Sequence, residues 1–529
     1  MKSARITSLL VIAGLLVAGL LAQLATGESS TPPSGVVAVQ AGVAIPAARD
    51  EPTLSSTWYC AGGTGRPGGF ADHVLVLANP TDRARTATVT VLTGAVAASP
   101  PPATTSTTVA GAVPPSTTTT VAAPTTTTLP YQPIDKDVPL PPQSRVEVRL
   151  GDLAEASLVG AVVEVDGGEI AVEHHVTGPL GRATAPCSST ASTSWSFPWG
   201  VTTRGARDLL VFMNPFPDDA TVDISFATDE GVRDTARYQG FIVPGRSVVG
   251  ASLERDVTRK GQVSAQVRVR SGRLVADRIQ TLDGTDGREG ITLALGVPVP
   301  ALEWVYPVGE TGPGLTEQVV VFNPSEDAAE VEVEARLDDP GANALPEPFE
   351  LTIPPGRYSI VNIHAEDRVP AGVGHSLFVR SLNGVPIAAE RVNSSAAPAP
   401  RRGITVTSGS PLGAPIWYFA GGGPTEGRDE FLVLVNLDND KAVTYSVTGL
   451  AGGQTIAIQG LQAQTIEPGG RAVIRLGDHL ARDVLPVVVA ANGPIVAERG
   501  LYRIGGGGMS QAMGIPLDRD IFVPDPVND

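Results

Sequence analysis

The sequence predicts an all-β protein with four tandem immunoglobulin-like β-sandwich modules after an N-terminal transmembrane or signal helix. Three observations support this fold class. One plan of motifs recurs four times, short apolar strands alternate with Gly and Pro turns, and no segment after residue 30 shows a sustained helical period. Seven or so short strands in a repeat of about 110 residues is the pattern of an immunoglobulin-like sandwich.

The N-terminal segment is the part of the chain expected to enter a membrane. Lys2 and Arg5 precede an apolar run at residues 6–25, which is long enough to span a bilayer as a helix. The positive-inside rule places the rest of the chain outside the cytoplasm. We therefore expect a single-pass cell-membrane protein with a signal-anchor helix at residues 1–30 and an extracytoplasmic C-terminal region; secretion after signal cleavage is the alternative.

Each repeat opens with an aromatic phrase, and a buried strand that ends in Asn follows it. Because Asn accepts turn geometry and Pro cannot continue a ladder, the Asn-Pro found in three copies should end the strand. The phrases TWYCAGG, SWSFPWG, EWVYPVG and IWYFAGG begin at Thr57, Ser194, Glu303 and Ile416, and the marker asparagines are Asn79, Asn214, Asn323 and Asn436.

These recurrences define the domains. A tether at residues 31–54 leads to module 1. A Thr/Pro-rich insertion at residues 99–130 has too few large apolar side chains to offset the conformational entropy lost on ordering. We expect the insertion to be a disordered surface loop, with or without O-linked sugar. The modules are predicted at residues 55–193, 194–302, 303–415 and 416–529, in a row or in a compact ring.

The last shared phrase of each repeat carries an acidic residue followed directly by a basic one. Adjacent residues on a strand point to opposite faces, so the two side chains cannot act together on one substrate atom. A turn arginine precedes each acid in the sequence. We therefore predict a structural ion pair within each module: Arg145 with Glu173, Arg246 with Asp277, Arg357 with Glu390, and Arg471 with Glu498.

No pattern in the sequence predicts catalysis. The histidines show no zinc-binding spacing, and their one local concentration is Glu173-His174-His175. Hydrolase phrases of the form GxSxG and the P-loop are absent. We therefore expect no catalytic residue, no metal and no cofactor. The formal charge of −17 argues against nucleic acid, whose binding is dominated by phosphate neutralisation.

Cys60 and Cys187 are the two cysteines of the chain. An even number of cysteines in an exported protein predicts a disulfide. The bond would join the first and last strands of module 1.

The phrases WYCAGG, WYFAGG, VLANP, VVFNP and VAERG resemble an actinobacterial family of secreted or membrane-anchored proteins of unknown function with β-rich repeats. The resemblance covers nearly all of the chain after residue 50. It implies an exported protein of repeated β modules and assigns no catalytic residue.

The leading hypothesis is a non-catalytic cell-envelope scaffold or protein-interaction protein whose partner is unknown. One alternative is an array of carbohydrate- or cell-wall-binding modules, because exposed Trp rings favour sugars and partner proteins. A third hypothesis is a divergent envelope hydrolase, which would need acids from different modules to converge. The possible ligand contacts are Trp58, Trp195, Trp199, Trp304 and Trp417, for which packing between modules is the other interpretation.

Overall fold

The computed structural model describes residues 45–50, 53–66, 68–97, 132–338, 346–504 and 507–524. The predicted helix at residues 1–30, most of the tether and the insertion at residues 99–130 lie outside these ranges. Within them, no helix is both long and apolar enough to cross a membrane.

The all-β prediction is confirmed. The described ranges contain no α-helix and five short 3-10 segments, and strands make up the rest of the regular structure. Alternation of side chains explains individual strands: in AEVEVEARL at Ala329–Leu337, the Ala and Val side chains are buried and the intervening acidic ones are partly or fully exposed. A period of two gives a strand one dry and one wet face.

The strands fall into four groups, here called modules 1 to 4. Module 1 contains β1 (Ser55–Cys60), β2 (Asp72–Asn79), β3 (Arg85–Val96), β4 (Ile134–Leu140), β5 (Ser144–Arg149), β6 (Leu158–Asp166), β7 (Ala171–Gly178) and β8 (Gly181–Pro186). Module 2 contains β9 (Ser194–Phe197), β10 (Ala206–Asn214), β11 (Ala220–Thr228), β12 (Gly231–Asp234), β13 (Phe241–Val243), β14 (Ser247–Ser252), β15 (Ser264–Ser271), β16 (Val275–Asp283) and β17 (Glu289–Leu295).

Modules 3 and 4 follow in the same way. Module 3 contains β18 (Glu303–Glu310), β19 (Leu315–Phe322), β20 (Ala329–Leu337), β21 (Phe349–Ile353), β22 (Tyr358–Val361), β23 (Gly374–Ser381), β24 (Ala388–Ser395) and β25 (Gly403–Ser408). Module 4 contains β26 (Ala414–Phe419), β27 (Arg428–Asn436), β28 (Val443–Ala451), β29 (Gln454–Ala457), β30 (Gln464–Ile466), β31 (Arg471–Arg475), β32 (Val487–Arg503), β33 (Met509–Met513) and β34 (Ile515–Pro516).

One strand order recurs in all four modules. In module 1 the first sheet runs β1-β6-β3-β4 and the second runs β5-β2-β7-β8. Module 2 has β9-β15-β11-β12 and β14-β10-β16-β17, and module 3 has β18-β23-β20-β21 and β22-β19-β24-β25. Module 4 keeps the order, but its long strand β32 belongs to both sheets, because the chain continues as one strand through Asn492-Gly493.

The two sheets of a module share a core. In module 1, Trp58, Val89 and Val163 of the first sheet belong to the same buried cluster as Leu75 and Val172 of the second. The order differs from that of an immunoglobulin constant domain, whose first strand pairs with the second. In modules 1 and 3 the first strand pairs with the sixth instead, as β1 does with β6. Strand spacing in the sequence predicts a β-sandwich, but it carries no information on which strands are neighbours.

The marker asparagines end their strands by hydrogen bonding. Asn323 Nδ2 donates to the carbonyl oxygens of Asp327 at 2.7 Å and Ile353 at 2.8 Å, and its Oδ1 accepts the Ser325 N–H at 3.0 Å. The other three make the equivalent contacts and all are buried: Asn79, Asn214 and Asn436. The turn predicted at each asparagine is therefore present.

The modules close into a ring around a common axis. The last strand of each module lies at this axis, where β8 packs on β17, β17 on β25, β25 on β33, and β33 on β8. Glycine allows the close approach: Gly403 has φ +141°, and a Cβ there would lie 2.9 Å from the backbone nitrogen of Met509 in the next module. The described residues accordingly belong to one compact unit.

The predicted disulfide is confirmed. Cys60, the last residue of β1, is bonded to Cys187, which directly follows β8. The two residues are 127 positions apart, so the bond closes a loop through nearly all of module 1.

Removing the disulfide in the double variant Cys60→Ala/Cys187→Ala should lower the free energy of unfolding by about 2–5 kcal/mol, since the bond restricts the unfolded chain. Urea unfolding followed by Trp fluorescence measures the change. Reduced and alkylated wild-type protein is the control and should lose a similar amount. Equal midpoints for the oxidised protein and the variant would contradict a stabilising role.

Candidate functional site

The repeated acids lie at the junctions between modules. Glu498 of module 4 accepts the backbone N–H of Val308 in module 3 at 2.9 Å and forms an ion pair with Arg391 of module 3. Both side chains are fully buried. The acid therefore satisfies two groups that belong to the preceding module.

The same arrangement recurs around the ring. Glu390 of module 3 accepts the Trp199 N–H at 2.7 Å and pairs with Arg278 of module 2 at 2.8 Å. Glu173 of module 1 pairs with Arg499 of module 4 at 2.7 Å and accepts the N–H groups of Ala420 and Gly421. This last junction closes the ring between the first module and the last.

The aromatic phrases supply the backbone donors. Modules 1 and 4 have Ala61 and Ala420 at the fifth position of the phrase, and each donates its N–H to the acid of the neighbouring module. Modules 2 and 3 have Pro198 and Pro307 at this position, which have no N–H to donate. The sixth residue is the donor in those two modules, as Trp199 shows.

The predicted ion pairs within modules are replaced by pairs between modules. Adjacent side chains on a strand point in opposite directions, so the acid points toward the preceding module and the basic residue toward the next. Each therefore has its partner outside its own module. The spacing of residues within one repeat did not predict these partners, because it carries no information on which modules become neighbours. Arg145, Arg246, Arg357 and Arg471 are not the observed partners of Glu173, Asp277, Glu390 and Glu498.

The turn arginines have other contacts. Arg145 forms an ion pair with Glu147 and donates to the carbonyl oxygen of Gly422 in module 4 at 3.3 Å. Arg471 donates to the carbonyl oxygen of Gly309 in module 3 at 3.4 Å and lies 3.5 Å from Asp338. Two of the four thus reach the last glycine of the preceding module's aromatic phrase. Arg246 is exposed and Arg357 half-buried, and neither has an ion pair among the described residues.

The junction between modules 1 and 2 is the exception. His174 takes the place of the arginine, and its Nε2 lies 3.7 Å from Asp277 Oδ2. His73 Nδ1 lies 3.0 Å from the carbonyl oxygen of Val159 and must donate to it, so His73 Nε2 accepts from His174 Nδ1 at 2.9 Å. His174 Nε2 is then an acceptor that faces the carboxyl group of Asp277.

Burial keeps this chain of groups neutral. It lowers the pKa of His73 to about 4 and lowers the pKa of His174 well below its usual value. Burial also raises the pKa of Asp277 to about 8, against the opposing effect of the N–H donors of Ala61 and Gly62. A protonated Asp277 beside the neutral imidazole of His174 leaves this junction without a net charge.

The five tryptophans are buried, with exposures of 0–1%: Trp58, Trp195, Trp199, Trp304 and Trp417. Trp195 and Trp304 donate their indole N–H to backbone carbonyl oxygens of their own modules. Trp199 packs with Val320 and Val406 of module 3. None of the five rings is available to an external ligand in this structure. The tryptophans therefore cannot make the sugar contacts that the sequence suggested.

A cavity of about 1140 Å³ opens at one end of the axis. Its wall includes residues from the hairpins that lead into the last strands of all four modules, around Gly181, Gly287, Gly403 and Gly508. A smaller cavity of about 50 Å³ lies at the opposite end of these strands, and its lining includes Ile45, Pro46 and residues from the last strands of all four modules. The sequence did not predict the cavity, because it is formed by four hairpins far apart along the chain.

Neither end of the axis resembles a metal centre. Among the described residues, no group of three or more His, Cys, Asp or Glu side chains could hold a metal ion. The junction carboxylates are enclosed together with their partners, which leaves no space for a substrate beside them.

The comparisons with known proteins assign no activity. The model of a family of unknown function, DUF5719, matches residues 170–292, from the last hairpin of module 1 to the last strand of module 2. No curated protein matches the chain.

Two of the similar solved structures are about the length of one module. The crystal structure of Thermotoga maritima 1070 is 17% identical, with 21% of this chain and 93% of that chain covered and a TM-score of 0.19. The Anabaena sensory rhodopsin transducer is 20% identical, with coverages of 18% and 88% and a TM-score of 0.15. An α-L-rhamnosidase from Streptomyces avermitilis is 9% identical, with coverages of 68% and 51% and a TM-score of 0.11. Similarity this low supports no argument about fold or function.

Replacing Glu498 by Gln should destabilise the protein by about 3–5 kcal/mol, because the buried Arg391 would lose its closest carboxylate and keep only Glu317, 3.9 Å away. Glu326→Gln is the matched control on an exposed turn, where the same change should alter stability by less than about 0.5 kcal/mol. Chemical unfolding of the two variants gives the comparison. Similar effects at both sites would mean that the junction does not depend on this ion pair.

Replacing Asp277 by Asn should change the pH dependence of stability. An unfolded Asp ionises near pH 4, whereas Asp277 in the folded protein keeps its proton to about pH 8, so wild-type stability falls as the pH rises through this window. Asn cannot ionise. The histidines are common to both proteins and largely cancel.

The stability of Asp277→Asn relative to wild type should therefore improve by about 2–4 kcal/mol between pH 5 and pH 8. Unfolding curves at several pH values measure it. Parallel pH profiles for the two proteins would show that Asp277 is ionised in the fold.

Proposed function

We propose that this protein is a non-catalytic, exported cell-envelope scaffold that is held to the membrane through residues 6–25. Its four modules, each a variant of the immunoglobulin-like sandwich, form one ring that presents the axial cavity to an envelope partner. The observation that carries this proposal is the use of the repeated charged residues: they join the modules and are buried at the junctions.

The same observation weakens the hydrolase hypothesis. A hydrolase needs carboxylates that can reach a substrate, and the repeated acids of the modules do not meet in a common cleft here. Glu173, Glu390 and Glu498 each lie at a separate junction beside an arginine. A scaffold needs a rigid body, and buried junctions provide it.

The wall-binding alternative now lacks its proposed contacts, because all five Trp side chains are buried. The axial cavity remains open to a ligand, and its wall contains residues of every module. An occupant would therefore contact the whole ring. This favours a single binding event for each chain over four equivalent sugar sites.

Cysteine labelling tests the proposed location. Asp82 lies on an exposed turn with its side chain 85% exposed, so an Asp82→Cys variant in intact cells should react with a membrane-impermeant maleimide. The matched variant Lys2→Cys places the thiol before the apolar run and should react only after lysis. Labelled protein should sediment with membranes. Protection of Asp82→Cys until lysis would contradict export.

A further inference from the structure

The axial cavity differs in charge from the rest of this acidic chain. Three groups of its lining charges are already paired: Arg145 with Glu147, Arg428 with Asp483 at 3.6 Å, and Asp429 with Arg475 at 2.6 Å. The remaining charged residues of the wall are Arg182, Arg402, Arg503 and Glu289, and none of these has an ion-pair partner among the described residues.

The three arginines come from three different modules. Arg182 belongs to module 1, Arg402 precedes the last strand of module 3, and Arg503 ends β32 of module 4. The one carboxylate among these unpaired wall residues is Glu289 of module 2. The unpaired charge of the wall is therefore positive, although the whole chain carries a formal charge of −17.

Module 1 departs from the repeat at this place. The strand pairings align Arg182 with Ile291, Ile404 and Met509 of the other modules. Apolar residues thus suffice for the packing at three of the four equivalent positions. The arginine in the fourth position is not required by the fold.

The residue that holds Arg182 also departs from the repeat. His175 aligns with Ile279, Val392 and Gly500, and it is only 4% exposed. Its Nδ1 lies 2.8 Å from a guanidinium nitrogen of Arg182. A guanidinium group can only donate, so His175 Nδ1 accepts and the ring is neutral. Burial and the charge of Arg182 lower the pKa of His175 to about 2, which keeps it in this state.

We propose that the axial cavity binds a ligand that carries an oxyanion, either a phosphate or a carboxylate, with Arg182 as the central contact and Arg402 and Arg503 as flanking contacts. The guanidinium fork matches both groups in a bidentate geometry. The volume of about 1140 Å³ accommodates a molecule larger than the bare ion, such as a substituted sugar.

This inference rests on the proposed function in so far as it describes the occupant of the same cavity. The two can fail separately. Labelling of intact cells tests where the body of the protein lies, and binding by the purified protein tests the ligand chemistry.

Titration calorimetry of the full-length protein in detergent tests the proposal. The probes are glucose 1-phosphate, glucuronate and uncharged glucose, each up to about 10 mM, a range suited to weak sites. One or both anions should bind, and glucose should not. Binding of only the phosphate or only the carboxylate would support the site and identify which of the two sources of oxyanion it accepts.

The variant Arg182→Ile introduces the residue found at the equivalent positions of modules 2 and 3, so it should fold. It should weaken anion binding at least about tenfold, while the circular dichroism spectrum stays that of the wild type. The matched control Arg246→Gln removes an exposed turn arginine that does not line the cavity, and it should bind as wild type does. Failure of both anions to bind, or equal affinities for wild type and Arg182→Ile, would overturn the proposal.

Discussion

A buried guanidinium group must have a carboxylate beside it, and this requirement determines the architecture. Arg278, Arg391 and Arg499 are almost completely buried, and arginine keeps its charge at any pH the protein meets. Each one finds its acid in the next module. A row of four modules would leave Arg499 at one end and Glu173 at the other, both without their partners. The closed ring is the arrangement in which every one of these charges is compensated.

The ring arrangement depends on the acidic and basic residues that are adjacent on one strand of each module. Adjacent side chains point to opposite faces, so each module offers an acid on one side and a base on the other. Such head-to-tail interfaces close into a ring when the rotation between copies allows it. Here the four copies are linked in one chain, so their number is set by the sequence and each copy can diverge independently.

Module 1 diverges from the repeat, and a different interaction supports its junction with module 2. His73, His174 and Asp277 form a neutral chain in place of an ion pair. The main chain adds a second contact between modules 1 and 2, since β3 pairs in parallel with β14 of module 2 and Gly94 lies opposite Val248. A Cβ at Gly94 would lie 1.6 Å from the Val248 carbonyl oxygen, so glycine is needed for this approach. One sheet therefore runs continuously through modules 1 and 2.

The sequence was sufficient for the local features and insufficient for the assembly. The strands and the Asn turns could be predicted, because side-chain alternation and turn chemistry depend on residues that are close in the sequence. The Cys60–Cys187 bond could be predicted because two cysteines allow only one pairing. The partners of Glu173 and Glu498 could not, because they depend on which modules become neighbours. The cluster Glu173-His174-His175 was visible as a concentration of polar residues, but its three side chains have three separate partners: Arg499, His73 and Arg182.

The same reasoning explains why one altered module can create a site for the whole ring. All four hairpins meet at the axis, so a change in one copy alters a cavity that the other three also line. Replacing an apolar side chain by Arg182 there adds a charge next to a space that ligands can reach, whereas the junction charges are enclosed. A position where three copies keep an apolar residue and the fourth carries a histidine-supported arginine reflects a requirement beyond packing. That is the physical basis for separating the cavity from the junctions, although both are built from charged residues.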